Sequence, residues 1–200
     1  FQSPFPYGRR ISSLETAVQR RTIAGLLTKF QFGTNLVAPA ISVEVSNGIH
    51  RFVTEYISGE KIVSRNEVIE FLRTVTEFFT EVGLATWQVS PANPHAYTNL
   101  IRTTSGNLTI IDLESAFVIP FPLNGQFRSS WKNGALPSFD DIDFTKLRLY
   151  VARNFDALEK ALGPTGSKEL LDAVDAGEQS MRSWKGAELR LWGKIARLSY

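Results

Sequence analysis

The 200-residue sequence contains no cysteine. That absence removes disulfides, thiolate catalysis and cysteine-type zinc sites together, and it fits a reducing compartment. Histidine is nearly missing too. With His50 and His95 as the whole complement, no histidine-rich metal centre can be assembled. Any metal must be held mainly by oxygen donors, which favours Mg²⁺ or a similarly hard cation. The sequence also lacks an excess of either charge: 22 Lys and Arg face 20 Asp and Glu, and a net charge of +2 gives no general grip on nucleic acid. Long apolar runs are absent, none approaching the roughly 20 residues of a membrane span. The opening "FQSPFPYGRR" has no charged-then-apolar signal architecture. The expectation is a soluble, cytoplasmic protein.

What is present is enough for a packed core, with 43% hydrophobic residues and 12% aromatic. The first helix is predicted from "SSLE", where Ser12 and Glu15 have capping-box spacing, through Leu14, Val18, Ile23, Leu27 and Phe30 to Gly33. Two alternating runs, about 40–46 and 49–56, flank Asn47-Gly48 and predict a β-hairpin. Ser64 and Glu67 form a second capping box. It opens a helix whose Val68, Leu72, Val75, Phe79 and Val82 recur at spacings of three and four until Gly83.

The stretch "WQVSPANPHAYTNLIRTTSGNLTIIDLES", residues 87–115, carries the chemistry. A proline-bounded loop over 90–98 holds Asn93 and His95, a strand near 99–103 starts at Asn99, and Ser105-Gly106-Asn107 turns the chain. A second strand near 108–112 ends at Asp112, with Glu114 two residues on. Paired strands lie about 4.8 Å apart, so the open end of such a hairpin brings Asn99 and Asp112 together. Oxygen donors delivered in this way suit a hard cation. Strand-end caps and turn chemistry account for the same residues singly, and both readings stay open at this point.

Residues 119–139 predict a long irregular loop, followed by a helix starting within 138–141 and running to about Leu162. "GPTG" breaks it, and a last helix runs from about Ser167. Asp140, Asp141 and Asp143 in "FDDIDF" are expected to cap and complement a helix N-terminus. Trp87 is expected to anchor the core. The closing "SMRSWKGAELRLWGKIARLSY" has five basic residues against one acid. It is read as a terminal helix packed through its tryptophans, with peripheral membrane or partner contact as the alternative.

Several of these motifs have a family likeness. "FVTEYISGEKI" resembles the strand and hinge joining the two lobes of aminoglycoside phosphotransferase-like and choline-kinase-like enzymes. "TNLI", a turn and "IIDLESA" resemble their metal-binding Asn, the hairpin after it and their Asp-x-Glu segment, and "ANPHAYTNLI" is similar to the Ala-Asp-Pro-His loop of UbiB-like atypical kinases. The likeness covers roughly residues 12–160, with specific motifs only at 52–60 and 93–116. It implies an α+β, protein-kinase-like fold, mostly the helical C-lobe (57–200) with a reduced N-lobe of helix and hairpin (1–56). It further implies a hinge at Glu55, Tyr56 and Ile57 for the adenine of ATP, Mg²⁺ ligation by Asn99 and Asp112, and Glu114 for a second metal or a water-mediated contact.

The chain departs from that pattern in two places. The family's catalytic Asp is replaced by Asn93 or Pro94, the loop is one residue longer, and His95 is the only titratable substitute. No Gly-x-Gly-x-x-Gly occurs, no phosphate-pairing Lys can be named, and Glu15, where the helix Glu would fall, is already explained by capping. The expectation is a kinase-like domain that binds Mg-nucleotide, a phosphotransferase for a small molecule or lipid-related substrate with a degenerate catalytic loop. The alternative is an inactive pseudokinase serving as a binding or regulatory module, and a helical scaffold is the third reading.

Overall fold

The computed structural model describes residues 11–46, 49–113 and 142–198, and the side chains of 14–45, 51–113 and 142–183. The chain is α+β. Helix α1 (Ile11–Phe32) leads into a two-stranded antiparallel sheet, β1 (Ala40–Ser46) with β2 (Ile49–Thr54). The short β3 (Gly59–Lys61) precedes α2 (Ile69–Val82), and the hairpin of β4 (Leu100–Thr103) and β5 (Leu108–Ile110) joins β3 in the order β3-β4-β5. Two helices follow, α3 (Phe144–Arg153) and α4 (Phe155–Leu198). Among the described residues no helix is long and apolar enough to cross a membrane.

The predicted periodicity of α2 is realised. Leu72, Val75, Phe78, Phe79 and Val82 are buried on one face, the spacing that brings residues three and four apart onto one stripe. Phe78 sits among aromatic rings, edge-on to Phe32 at 5.4 Å and to Tyr150 at 6.2 Å. These contacts tie α1, α2 and α3 into one core, in geometries that aromatic pairs prefer. The same hydrophobic cluster takes Ile23 and Leu27 from α1, Leu100 and Ile110 from the hairpin, and Leu158 and Leu170 from α4. A single core therefore draws on residues from both sides of position 56.

Several boundaries differ from the sequence reading. Helix α1 already includes Ile11, so Ser12 lies inside it and does not cap it, and its first turn carries no acid. Ser64 does cap, but the element it opens is a short 3₁₀ turn, Arg65–Glu67, and its side chain accepts from the Asn66 N–H. The α-helix proper begins at Ile69. Strand β2 stops at Thr54, two residues short of the predicted end. The helix expected from 138–141 to Leu162 is divided: Asp143 caps α3, its carboxylate accepting from Lys146 N–H at 2.9 Å, and α3 ends at Arg153. The expected break at "GPTG" is present as a non-helical residue, Gly163 at φ 74° and ψ 169°, after which Pro164 opens the second stretch of α4. The predicted loop 119–139, Asp140, Asp141 and the Asn47-Gly48 turn lie outside the described residues, although the flanking Ser46 and Ile49 pair as a two-residue hairpin requires.

Gly83 shows why the end of α2 is sharp. It adopts φ 85°, and a Cβ there would stand 2.8 Å from the Asp143 carbonyl oxygen, while the Gly83 carbonyl accepts from Asp143 N–H at 2.8 Å. Left-handed backbone and close approach both demand glycine. We expect Gly83→Ala to destabilise the fold by about 2–3 kcal/mol, read as a lowered midpoint in chemical denaturation with an unchanged slope.

The α3–α4 contact is ionic at its rim. Arg148 donates to Asp175 at 2.6 Å and to Glu178 at 2.7 Å, and Arg182 adds a further bond to Glu178. The hydrogen bond from Arg148, assisted by the nearby positive charges and opposed by partial burial, holds the Glu178 carboxyl below its ordinary value of 4.5. A depressed carboxyl stabilises the folded state above its unfolded pKa and loses that contribution as pH falls through the folded one. The melting temperature of wild type should thus exceed that of Glu178→Gln above about pH 5. The two curves should converge below pH 4.5, a thermal titration that checks the pair directly.

Candidate functional site

The hairpin β4–β5 is held in register by Leu100 against Ile110 and Arg102 against Leu108. One step beyond its last paired residues, the Ile111 N–H donates to the Asn99 carbonyl at 2.8 Å. Asn99 is thereby set across from Ile111, one residue before Asp112, and the side chains of Asn99 and Asp112 are half-buried. On its outer edge β5 is covered by the segment 36–38: Ile110 N–H donates to Leu36 at 2.7 Å and Ala38 N–H to Ile110 at 2.9 Å. Arg21, buried in α1, donates to the carbonyls of Ala38 at 2.9 Å and Ile111 at 2.8 Å, so the backbone just before Asp112 is fixed to the helix.

The polar loop before Asn99 is built from two 3₁₀ turns, Trp87–Val89 and Ala96–Asn99. Val89 and Ala96 are fully buried and pin the turns to the core, and Thr76 of α2 donates to the Val89 carbonyl at 3.0 Å. Trp87 is half-buried, and its part in the loop is its carbonyl. Asn93 donates to that carbonyl at 3.1 Å, while its Oδ1 accepts from His95 N–H at 3.0 Å. Asn93 is buried at 6% exposure with a hydrogen bond at each end of its amide, both within the loop, and an amide is not basic enough to take a substrate proton as a carboxylate would. His95 is exposed, and its carbonyl accepts from the backbone and hydroxyl of Thr98.

Asn99 uses its amide differently. Its Nδ2 donates to the Gln88 backbone carbonyl at 2.8 Å and to Gln88 Oε1 at 3.1 Å. A backbone carbonyl only accepts, so the atom facing it must be the nitrogen. Oδ1, the acceptor of the group, is left for another role. Gln88 was not among the residues that sequence reasoning singled out. A glutamine eleven residues upstream in an irregular loop gives no periodic signal.

Of the predicted hinge, Tyr56 is 88% exposed and Glu55 is exposed, its N–H donating to the Pro39 carbonyl at 2.9 Å; Ile57 is half-buried. The connector after these residues is short, because Gly59 and Glu60 belong to β3, paired with Thr103 and Arg102. Gly59 is required by that pairing: a Cβ would fall 2.2 Å from the Arg102 carbonyl oxygen. The connector thus enters the same sheet whose far end carries Asn99. Glu114 lies outside the described residues.

The predicted donors within the described residues, Asn99 and Asp112, are one amide oxygen and one carboxylate, all hard oxygen. Among the described residues no group of three His, Asp or Glu could hold a metal, so an ion at Asn99 and Asp112 would keep several waters. Mg²⁺, which dehydrates reluctantly and binds through one or two carboxylates plus phosphates, fits such a set. A separate cleft of about 400 Å³ lies between Phe32, Phe71, Val75, Arg102 and Leu108 and includes none of the predicted site residues. Compared with known proteins, the chain matches no family model, no curated protein and no solved structure.

If the Asn99 nitrogen is committed as described, Asn99→Asp sets a carboxylate against two carbonyl oxygens. We expect this near-isosteric change to destabilise the protein by about 1–3 kcal/mol, measured by denaturant unfolding, and more than the shorter Asn99→Ala.

Proposed function

We propose that this chain is a kinase-like domain that binds a Mg²⁺-nucleotide, with Asn99 and Asp112 as cation ligands and the connector at Glu55, Tyr56 and Ile57 receiving the base. The observation that carries this reading is the 2.8 Å bond from Ile111 N–H to the Asn99 carbonyl, which sets Asn99 at the open end of a hairpin whose other strand runs on into Asp112. In phosphoryl transfer the protein mainly positions the nucleotide and neutralises charge through the metal, so two such donors on adjoining strands suit the task. The kinase-like fold itself is part of the proposal, supported by the α+β architecture and the motif likeness at 52–60 and 93–116.

A second reading, binding without phosphotransfer, is favoured by the polar loop. It contains no acid, and Asn93, where the family base would stand, is buried and hydrogen-bonded at both ends of its amide. Loss of a general base lowers rate by about 10²- to 10⁴-fold. The 200 residues also contain no Gly-x-Gly-x-x-Gly to cover phosphates.

ATP with Mg²⁺ should raise the melting temperature of wild type, ligand at a hundred times its Kd adding about 2.7 kcal/mol. The rise should vanish in Asp112→Asn and without the metal, and a coupled phosphotransfer assay should find little or no turnover. Vigorous wild-type turnover would overturn the inactive reading and direct attention to His95. Absence of any stabilisation would overturn nucleotide binding.

A further inference from the structure

We infer that Gln88 is a positioning residue for the cation site, holding the Asn99 amide so that its oxygen is presented to the metal; this rests on the Mg²⁺ reading proposed above. An asparagine amide has two ends of nearly equal shape and opposite chemistry. Turned one way it offers an acceptor to a cation, and turned the other it offers two N–H donors that repel one. Gln88 supplies two oxygens to the same nitrogen, its backbone carbonyl at 2.8 Å and its side-chain Oε1 at 3.1 Å. Two acceptors on one planar NH₂ use both of its N–H bonds. Oδ1 must then point to the opposite side of the amide, away from Gln88.

The pair is not needed to close the loop. That work is done by Asn93 between Trp87 and His95, by Thr76 on Val89, by Thr98 on the His95 carbonyl and by Ile111 on the Asn99 carbonyl. Backbone bonds place the Asn99 Cα, and the Gln88 contacts act one bond further out, on the direction of the amide. A ligand held in this way has its orientation fixed before the ion arrives, which is how outer groups raise metal affinity at other sites.

The test is a double-mutant cycle on Mn²⁺ affinity, measured by titration calorimetry on the full chain, with thermal unfolding of each variant alongside. Gln88→Met removes Oε1 and keeps the length. It should weaken Mn²⁺ binding about fivefold, the equivalent of one neutral hydrogen bond, at nearly unchanged melting temperature. In an Asn99→Leu background, where metal binding is already weakened, the same change should have much less effect, because the contacts of Gln88 with the Asn99 amide are gone. Gln88→Glu, which keeps an oxygen acceptor, should bind at least as tightly as wild type. If Gln88→Met does not fold, Gln88→Asn withdraws the oxygen by one methylene and carries the same expectations. Wild-type affinity in Gln88→Met, or equal weakening with and without Asn99, overturns the positioning role and leaves the metal site standing. A wild-type chain without Mn²⁺ affinity, unchanged by Asp112→Asn, overturns the site and the role together.

Discussion

The guanidinium of Arg21 is the contact on which the arrangement of this molecule turns. It is buried at 2% exposure in α1, where a charge is costly unless its donors are used. Two of its nitrogens donate to the Ala38 and Ile111 carbonyls, and the group lies 5.3 Å from the centre of the Phe52 ring. One side chain thus gathers the helix, the segment that covers β5, the end of β5 and the second strand of the N-terminal hairpin. A rigid planar fork with fixed donor directions can hold several carbonyls at once, which a lysine ammonium would do with less directional control. Since Ile111 precedes Asp112, the same contact fixes the backbone from which the candidate carboxylate projects.

Around that anchor, the polar residues of the loop divide their labour. Asn93 spends both ends of its amide on the chain itself, giving to Trp87 and taking from His95. Asn99 spends only its nitrogen, on Gln88, and retains its oxygen. Two asparagines six residues apart in one loop therefore differ in what they can still do. The distinction is one of hydrogen-bond accounting, and it separates a construction residue from a candidate ligand more sharply than exposure does.

The sheet decides what the preceding connector can be. Glycine inside a strand usually weakens it, yet Gly59 is a ladder residue whose missing Cβ lets β3 approach the Arg102 carbonyl. Ser12 and Ser64 show the matching error in helices. Capping-box spacing was present at both, but one serine lies inside α1 and the other caps a 3₁₀ turn ahead of α2. Local spacing marks where a helix is favoured near by, whereas its first residue is set by which neighbours satisfy the leading N–H groups.

The sequence by itself determined the apolar stripe of α2, the stop at Gly83, both hairpins and the break at Gly163. Each rests on interactions within a few residues: periodic burial, left-handed backbone at glycine, or turn chemistry. It also determined that any metal would meet oxygen, because the composition offers little else. Tertiary structure alone decided that Arg21 is buried, since an arginine on a helix reads as solvent-facing until carbonyls from residues 38 and 111 arrive. It decided likewise that Asn93 is consumed and Asn99 oriented, because Gln88 and Trp87 reach them only after the loop has folded back on itself. A side chain's donors and acceptors are legible in sequence, but the partners that use them up come from distant segments, and only packing brings those within 3 Å.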